Sequence, residues 1–139
     1  MIVLDTNVLS ELMRAQAEPA VVDWLDRQTP DSLVITAVTV AELLYGIARL
    51  PDGRRKTGLR EAALQMLDED FRDRVLPFDE DAAVHYAALV SQRERTGRPI
   101  SMADAQIAAI CRHHGASLAT RNSKDFEGVG IALVNPWAD

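Results

Sequence analysis

The chain has 139 residues, one cysteine and a formal net charge of −6, from 15 Lys and Arg against 21 Asp and Glu. That length fits a single domain spanning residues 1–139, which needs no staples to bury a core. A lone cysteine excludes an internal disulfide framework and a cysteine-rich zinc site, and no apolar run approaches the ~20 residues of a membrane span.

Ile2, Val3 and Leu4 form a short apolar run that reads as a buried first strand. No basic stretch followed by a long apolar one opens the chain, so the expected location is the cytoplasm. Asp5-Thr6-Asn7 are turn and cap formers, and a helix starts at Val8. Pro19 suits the first turn of a second helix, with Val21, Val22, Trp24 and Leu25 on its apolar side. Residues 33–36 are a second strand. Val40, Leu43, Leu44, Ile47 and Leu50 then recur at helical spacing, and Pro51-Asp52-Gly53 closes that helix. Residues 54–68 form a further helix with Leu59, Ala62, Ala63, Leu64 and Leu67 inward. Residues 75–78 are an edge strand at best, because Pro77 cannot donate to a ladder. Asp81 caps a helix ending near Gly97, Ser101 opens another that Gly115 stops, and strands follow at 117–120 and 131–134. Strands and helices alternate throughout, which gives an α/β fold with a mostly parallel sheet flanked by helices.

Three acids fall at telling places in this order. Asp5 follows the first strand. Glu42 and Asp104 each lie in the first turn of a helix, three residues after Thr39 and Ser101. In parallel sheets ligands bind beyond the carboxyl ends of the strands, and helix first turns gather there too. Each acid also has a local explanation. Asp5 could cap its helix, and Thr39-x-x-Glu42 and Ser101-x-x-Asp104 both look like capping boxes. Together, however, three carboxylates at one edge repel each other, and helix N-termini offset only part of that. A divalent cation is the natural counterweight, and an all-oxygen shell points to Mg²⁺ or Mn²⁺. Asn122 or Asp125, after the strand at 117–120, could complete the shell. Thr6, Asn7 and Thr120 could orient carboxylates and water.

These residues resemble a known family. Val3-Leu4-Asp5-Thr6-Asn7-Val8, Thr36-Ala37-Val38-Thr39-Val40-Ala41-Glu42-Leu43, Pro99-Ile100-Ser101-x-x-Asp104-Ala105, Ala119-Thr120-Arg121-Asn122-x-x-Asp125-Phe126 and Asn135-Pro136-Trp137 are together similar to the PIN-domain ribonucleases. The resemblance is to VapC-type toxins and their FitB-like branch. It implies a metal-dependent endoribonuclease, homodimers, an RNA substrate and a cognate VapB- or FitA-like antitoxin that supplies any DNA contact. By position, Asp5, Glu42 and Asp104 match the family's core acids. Many relatives carry an acid where this chain has Asn122. Asp125 therefore becomes the fourth catalytic and metal-holding acid, with Asn122 beside it.

The basic residues divide into two groups. Arg49, Arg54, Arg55, Lys56 and Arg60 either draw RNA phosphates or form a solvated helix face. Arg121 and Lys124 lie nearer the expected site. Cys111, Trp24 and Trp137 read as packing residues. His85, His113 and His114 read as surface or helix-end residues without zinc spacing. A phosphatase that begins with an aspartate after the first strand wants a second acid two residues on, and Asn7 stands there. A phospho-accepting signalling domain needs an acceptor Asp after a middle strand, and that strand ends at Thr36. The alternative that survives is a non-catalytic module acting with a DNA-binding antitoxin, which suits the chain's own acidity.

Overall fold

The computed structural model describes residues 1–138. Five short strands, β1 (Ile2–Leu4), β2 (Leu33–Thr36), β3 (Val75–Leu76), β4 (Ser117–Ala119) and β5 (Leu133–Val134), form one sheet in the order β3-β2-β1-β4-β5. Every neighbouring pair is parallel. The apolar first run therefore sits at the centre of the sheet, as its uninterrupted hydrophobicity requires. Its register puts Val3 beside Val34 and Leu118, and Leu4 beside Ala119.

Strand alternation sends these layers to opposite faces. Val3, Val34 and Leu118 join a core closed by α5 (Glu80–Arg95) and α6 (Met102–His114), with Leu89, Ile107 and Phe126 as its larger members. Ala105, Ala108 and Ala109 are all buried, and their small size lets α6 lie close to its neighbours. Leu4, Ile35 and Ala119 join the other core, built with α1 (Thr6–Leu12), α2 (Pro19–Asp26), α3 (Ala37–Ala48) and α4 (Arg54–Glu69). The result is the expected helix–sheet–helix arrangement. No helix among the described residues is long and apolar enough to cross a membrane.

Several local expectations change. The N-cap of α5 is Asp79, whose Oδ1 accepts from Ala82 N at 2.9 Å, and Asp81 lies within the first turn. The N-cap of α3 is Thr36, not Thr39: its hydroxyl accepts from Thr39 N at 3.1 Å. That shift releases Glu42 from a capping box. Asp5 does cap α1, accepting from Thr6 N at 2.8 Å, so the helix starts two residues before Val8. In α4 the inward residues are Leu59, Ala63, Met66 and Leu67, at spacings of four, three and one, while Leu64 is 42% exposed. Ala62 is exposed as well. β3 stops before Pro77, and β5 starts only at Leu133, after a turn in which Gly128 and Gly130 have φ of +75° and +80°. Gly115 ends α6 in the left-handed region, as expected.

The strand order fixes where a ligand can enter. From β1 the chain builds outward through β2 to β3, then crosses to β4 and β5 on the other side. The crevice outside the carboxyl ends of β1 and β4 is thus a topological switch point.

Candidate active site

Asp5 sits at that switch point. Its backbone N–H donates to Ala119 O at 2.9 Å, which carries the β1–β4 ladder one step past the strand. Its side chain is only 5% exposed. Oδ1 accepts from Thr6 N, and Oδ2 accepts from the Thr120 hydroxyl at 2.7 Å. Asn7 Nδ2 lies 3.4 Å from both Asp5 Oδ2 and Thr120 Oγ1. Thr120 is itself fully buried and also accepts from Asn122 N at 3.1 Å. Asn7 Oδ1 accepts from Arg121 N at 3.3 Å, so the segments after β1 and β4 are stitched together side chain to backbone.

Glu42 reaches the same place from α3. The Thr6 hydroxyl donates to its Oε1 at 2.7 Å. Thr39 Oγ1 lies 3.3 Å from Thr6 Oγ1 and 3.4 Å from Thr36 Oγ1, a line of hydroxyls behind the acid. Asp104 arrives from α6, in the first turn set by Ser101, whose hydroxyl accepts from Asp104 N at 3.2 Å. Asp5, Glu42 and Asp104, with Thr6, Asn7, Arg121 and Asn122, line one cleft of about 600 Å³. Asp125 is exposed and faces Asp104 across an adjoining hollow of about 200 Å³. Asn122 and Asp125 thus lie in the two compartments on either side of Asp104.

The charges in this group are strained against each other. Burial raises the Asp5 pKa first, its hydrogen bonds from Thr120 and Thr6 oppose that, and the charges of Glu42 and Asp125 add to it. Asp104 is pushed up to about 6, by burial first and then by Asp5, with smaller contributions from Asp125 and Glu42 and opposition from its link to Ser101. An all-oxygen donor set that penalises its own ionisation fits a hard divalent cation. Cys111 lies behind the site with its thiol pushed up to about 12 by burial and by Asp5, so it is a packing residue and not a nucleophile.

The sequence reading missed three residues that shape the cleft. Glu11, 5% exposed, accepts from Arg14 Nη1 at 3.0 and 3.2 Å and from Glu18 N at 3.0 Å. The Glu18 N–H, ahead of Arg14 and the Trp137 side chain, holds its carboxyl below the usual range. Trp137 is not simply packing: it lines the cleft, and the Arg121 guanidinium rests 5.1 Å from its ring centroid. Arg14 also lines the cleft and joins it to a groove of about 690 Å³ that Arg55 helps to line. Within the basic run, Arg49 instead packs on Tyr45 and Lys56 pairs with Asp52 at 3.0 Å. Lys124 is exposed and is not among the cleft's lining residues. No sequence pattern marks Glu11, and the Asn135-Pro136-Trp137 motif does not by itself place Trp137 in the cleft, because both roles depend on the last turn of α1 meeting the C-terminal segment.

A second group capable of holding a metal lies elsewhere. Asp79, Asp81 and His113 bring one ligand atom each within 4.8 Å of one another. His113 Nε2 is 3.8 Å from Asp81 Oδ2, and its ring centroid is 6.1 Å from that of His85 and 4.7 Å from that of His114. The spacing in sequence hides this group, since it joins the start of α5 to the end of α6. Along α6 it lies roughly 14 Å from Asp104 at 1.5 Å per residue, so it is no part of the cleft.

A fold with this strand order and this acid cleft defines a class. The chain belongs to the PIN-domain family, whose sequence model matches residues 2–131. It is similar to the VapC ribonuclease Y4jK of Sinorhizobium fredii, with 44% identity over 137 residues, covering 99% of this chain and 98% of that protein. It is also similar to the toxin FitB of Neisseria gonorrhoeae, with 42% identity and all of both chains covered. Among solved structures, FitAB bound to an IR36 DNA fragment superposes with a TM-score of 0.92 at 41% identity, covering 99% of this chain and 96% of that one. The family and its acidic groups point to a metal site.

Proposed function

We propose that this chain is a Mg²⁺- or Mn²⁺-dependent endoribonuclease, the toxin of a type II toxin–antitoxin pair. The observation that carries this reading is the meeting of Asp5, Glu42 and Asp104 in one cleft at the switch point of the sheet. The VapC ribonuclease at 44% identity supports the activity, and the toxin FitB supports the biological class.

In this reading Asp5 and Asp104 hold the ion directly. Thr120 and Thr6 N fix the Asp5 carboxylate so that it is presented without a search over rotamers. Glu42, steadied by the Thr6 hydroxyl, and Asp125 hold water and accept the proton lost by the attacking water. Asn7 keeps the segments after β1 and β4 together, and Asn122 is a polar neighbour of the ion. Arg121, propped on Trp137, contacts a phosphate of the RNA. When bound, the ion withdraws charge from the phosphodiester and acidifies water. Attack by water on phosphorus leaves a 5′-phosphate and a 3′-hydroxyl, and the 2′-hydroxyl takes no part.

The same reading makes the chain a single domain over residues 1–139, a cytoplasmic protein and a homodimer with a cognate antitoxin. A net charge of −6 suits a toxin that leaves DNA contact to that antitoxin. An arginine of the antitoxin, with its planar fork, suits the acid cleft as a plug. The test is cleavage of labelled RNA by antitoxin-free protein, with the product ends mapped. Cutting in Mg²⁺ or Mn²⁺ that stops in EDTA and gives 5′-phosphate ends is expected. Cutting that persists in EDTA, or that yields 2′,3′-cyclic phosphate, rejects the mechanism.

A further inference from the structure

Arg93, near the end of α5, is the one buried cation among the described residues, with 6% of its surface exposed. A cation taken out of water is normally matched by a carboxylate. This guanidinium instead donates to backbone carbonyls. Nε donates to Arg98 O at 2.6 Å, and Nη1 donates to Asp125 O at 3.2 Å and Glu127 O at 3.0 Å.

Those carbonyls belong to two separate segments. Arg98 follows Gly97, which turns the chain with φ +70°, and Arg98 N donates back to Arg93 O at 2.8 Å. Three residues on, Ser101 caps α6 and so places Asp104. Asp125 and Glu127 belong to and follow the 3-10 turn Ser123–Phe126. At the surface the Arg98–Glu127 ion pair, 3.2 Å long, ties the same two segments a second time. The hollow of about 200 Å³ between them is lined by Arg93, Ser101, Asp104 and Asp125. Arg93 therefore lines the same hollow as two acids that reach the site from positions 21 residues apart in the chain, Asp104 and Asp125.

We propose that Arg93 is a positioning residue for the acid site: its planar fork locks the backbone of Asp125 to the segment that starts α6, and so sets the Asp104–Asp125 separation. The inference rests on the metal-holding reading above. Lysine keeps the charge but cannot bridge carbonyls of two segments with a rigid fork.

The test is Mn²⁺ binding by calorimetry on the full-length protein without RNA, for wild type, Arg93→Lys, Asp125→Asn, the double variant and Asp5→Asn. Folding is checked by thermal melting. Arg93→Lys is expected to weaken Mn²⁺ binding about 10-fold, in the range seen when groups supporting a metal's ligands are removed. It is expected to add nothing once Asp125 is already Asn, because its effect passes through that carboxylate. If Arg93→Lys fails to fold, Arg98→Ala takes its place, and a smaller loss that vanishes in Asp125→Asn is expected. A folded Arg93→Lys that binds within twofold of wild type overturns the inference. So does a loss of equal size with and without Asp125, which a general loosening would give. Asp5→Asn separates the two claims. Binding that it abolishes but Arg93→Lys leaves intact overturns this inference alone. A wild type that binds no Mn²⁺ overturns the acid-site reading, and this inference with it.

Discussion

Thr120 shows what single atoms contribute to the site. It is fully buried, donates to Asp5 Oδ2 and accepts from Asn122 N. Thr120→Val keeps the shape and removes both of these bonds and the longer one from Asn7 Nδ2. We expect a loss of about 1–3 kcal/mol of stability from the unsatisfied polar partners, read as a lower melting temperature, together with a fall in cleavage of at least about tenfold as Asp5 loses its orientation. Asp104 gives a prediction in pH. Its folded pKa of about 6 lies above the unfolded value near 3.8. Its contribution to stability is therefore fully present below the unfolded value and is lost as pH rises through about 6. Metal-free protein should thus gain less from Asp104 at pH 7 than at pH 5. Melting curves of Asp104→Asn should show a flatter dependence over that window, and an unchanged slope would contradict the assignment. Asp5, Glu42 and Asp104 were legible in the sequence because Asp5 directly follows a strand, and Glu42 and Asp104 each stand three residues after a Thr or Ser near a helix start. Glu11, Arg93 and Trp137 were not, because a polar or aromatic residue at a helix end or chain end reads as surface or packing until its distant partners are known.

At the scale of elements, the caps explain which readings needed structure. On sequence the N-cap of α5 was read as Asp81, but it is Asp79 that accepts from the first-turn amide of α5. Asp79→Ala should cost about 1 kcal/mol, while Asp81→Ala should stay within a few tenths, and urea unfolding of the two variants separates them. For α3 the cap likewise lies earlier than the sequence reading put it, at Thr36 instead of Thr39, and the difference matters more there. With Thr36 as the cap, Glu42 faces Thr6 and the cleft instead of its own helix end. Helix existence and the apolar stripes came directly from residue periodicity. Starts were off by one to three residues because Asp, Thr and Ser cluster before several helices, and local chemistry alone does not choose among them. In α4 the sequence reading took too wide a face as inward, with Ala62 and Leu64 included. Leu64 and Leu67 are equally apolar, yet only the face carrying Leu59, Ala63, Met66 and Leu67 meets the core.

For the molecule as a whole, the alternation of strands and helices predicted parallel pairing but not strand order. The order β3-β2-β1-β4-β5 is what turns three acids spread over 100 residues into one cleft, since it sets the ends of β1 and β4 side by side. The overall charge of −6 and the local cations Arg14 and Arg121 in the cleft are compatible at this scale: repulsion on average, attraction at the mouth. The proposed homodimer is open to light scattering, which should return about twice the 15.3 kDa chain mass at micromolar concentration. A value at the single-chain mass would remove the dimer without touching the chemistry.

The most direct measurement is cleavage of a panel of labelled RNAs in Mn²⁺ by antitoxin-free wild type and by Asp5→Asn, each shown to be folded. The account predicts cutting by wild type and a loss of at least about 1,000-fold in the variant, since a buried acid holding the ion directly is removed. Equal cutting by both proteins would contradict it, because the activity would then owe nothing to the cleft at the switch point.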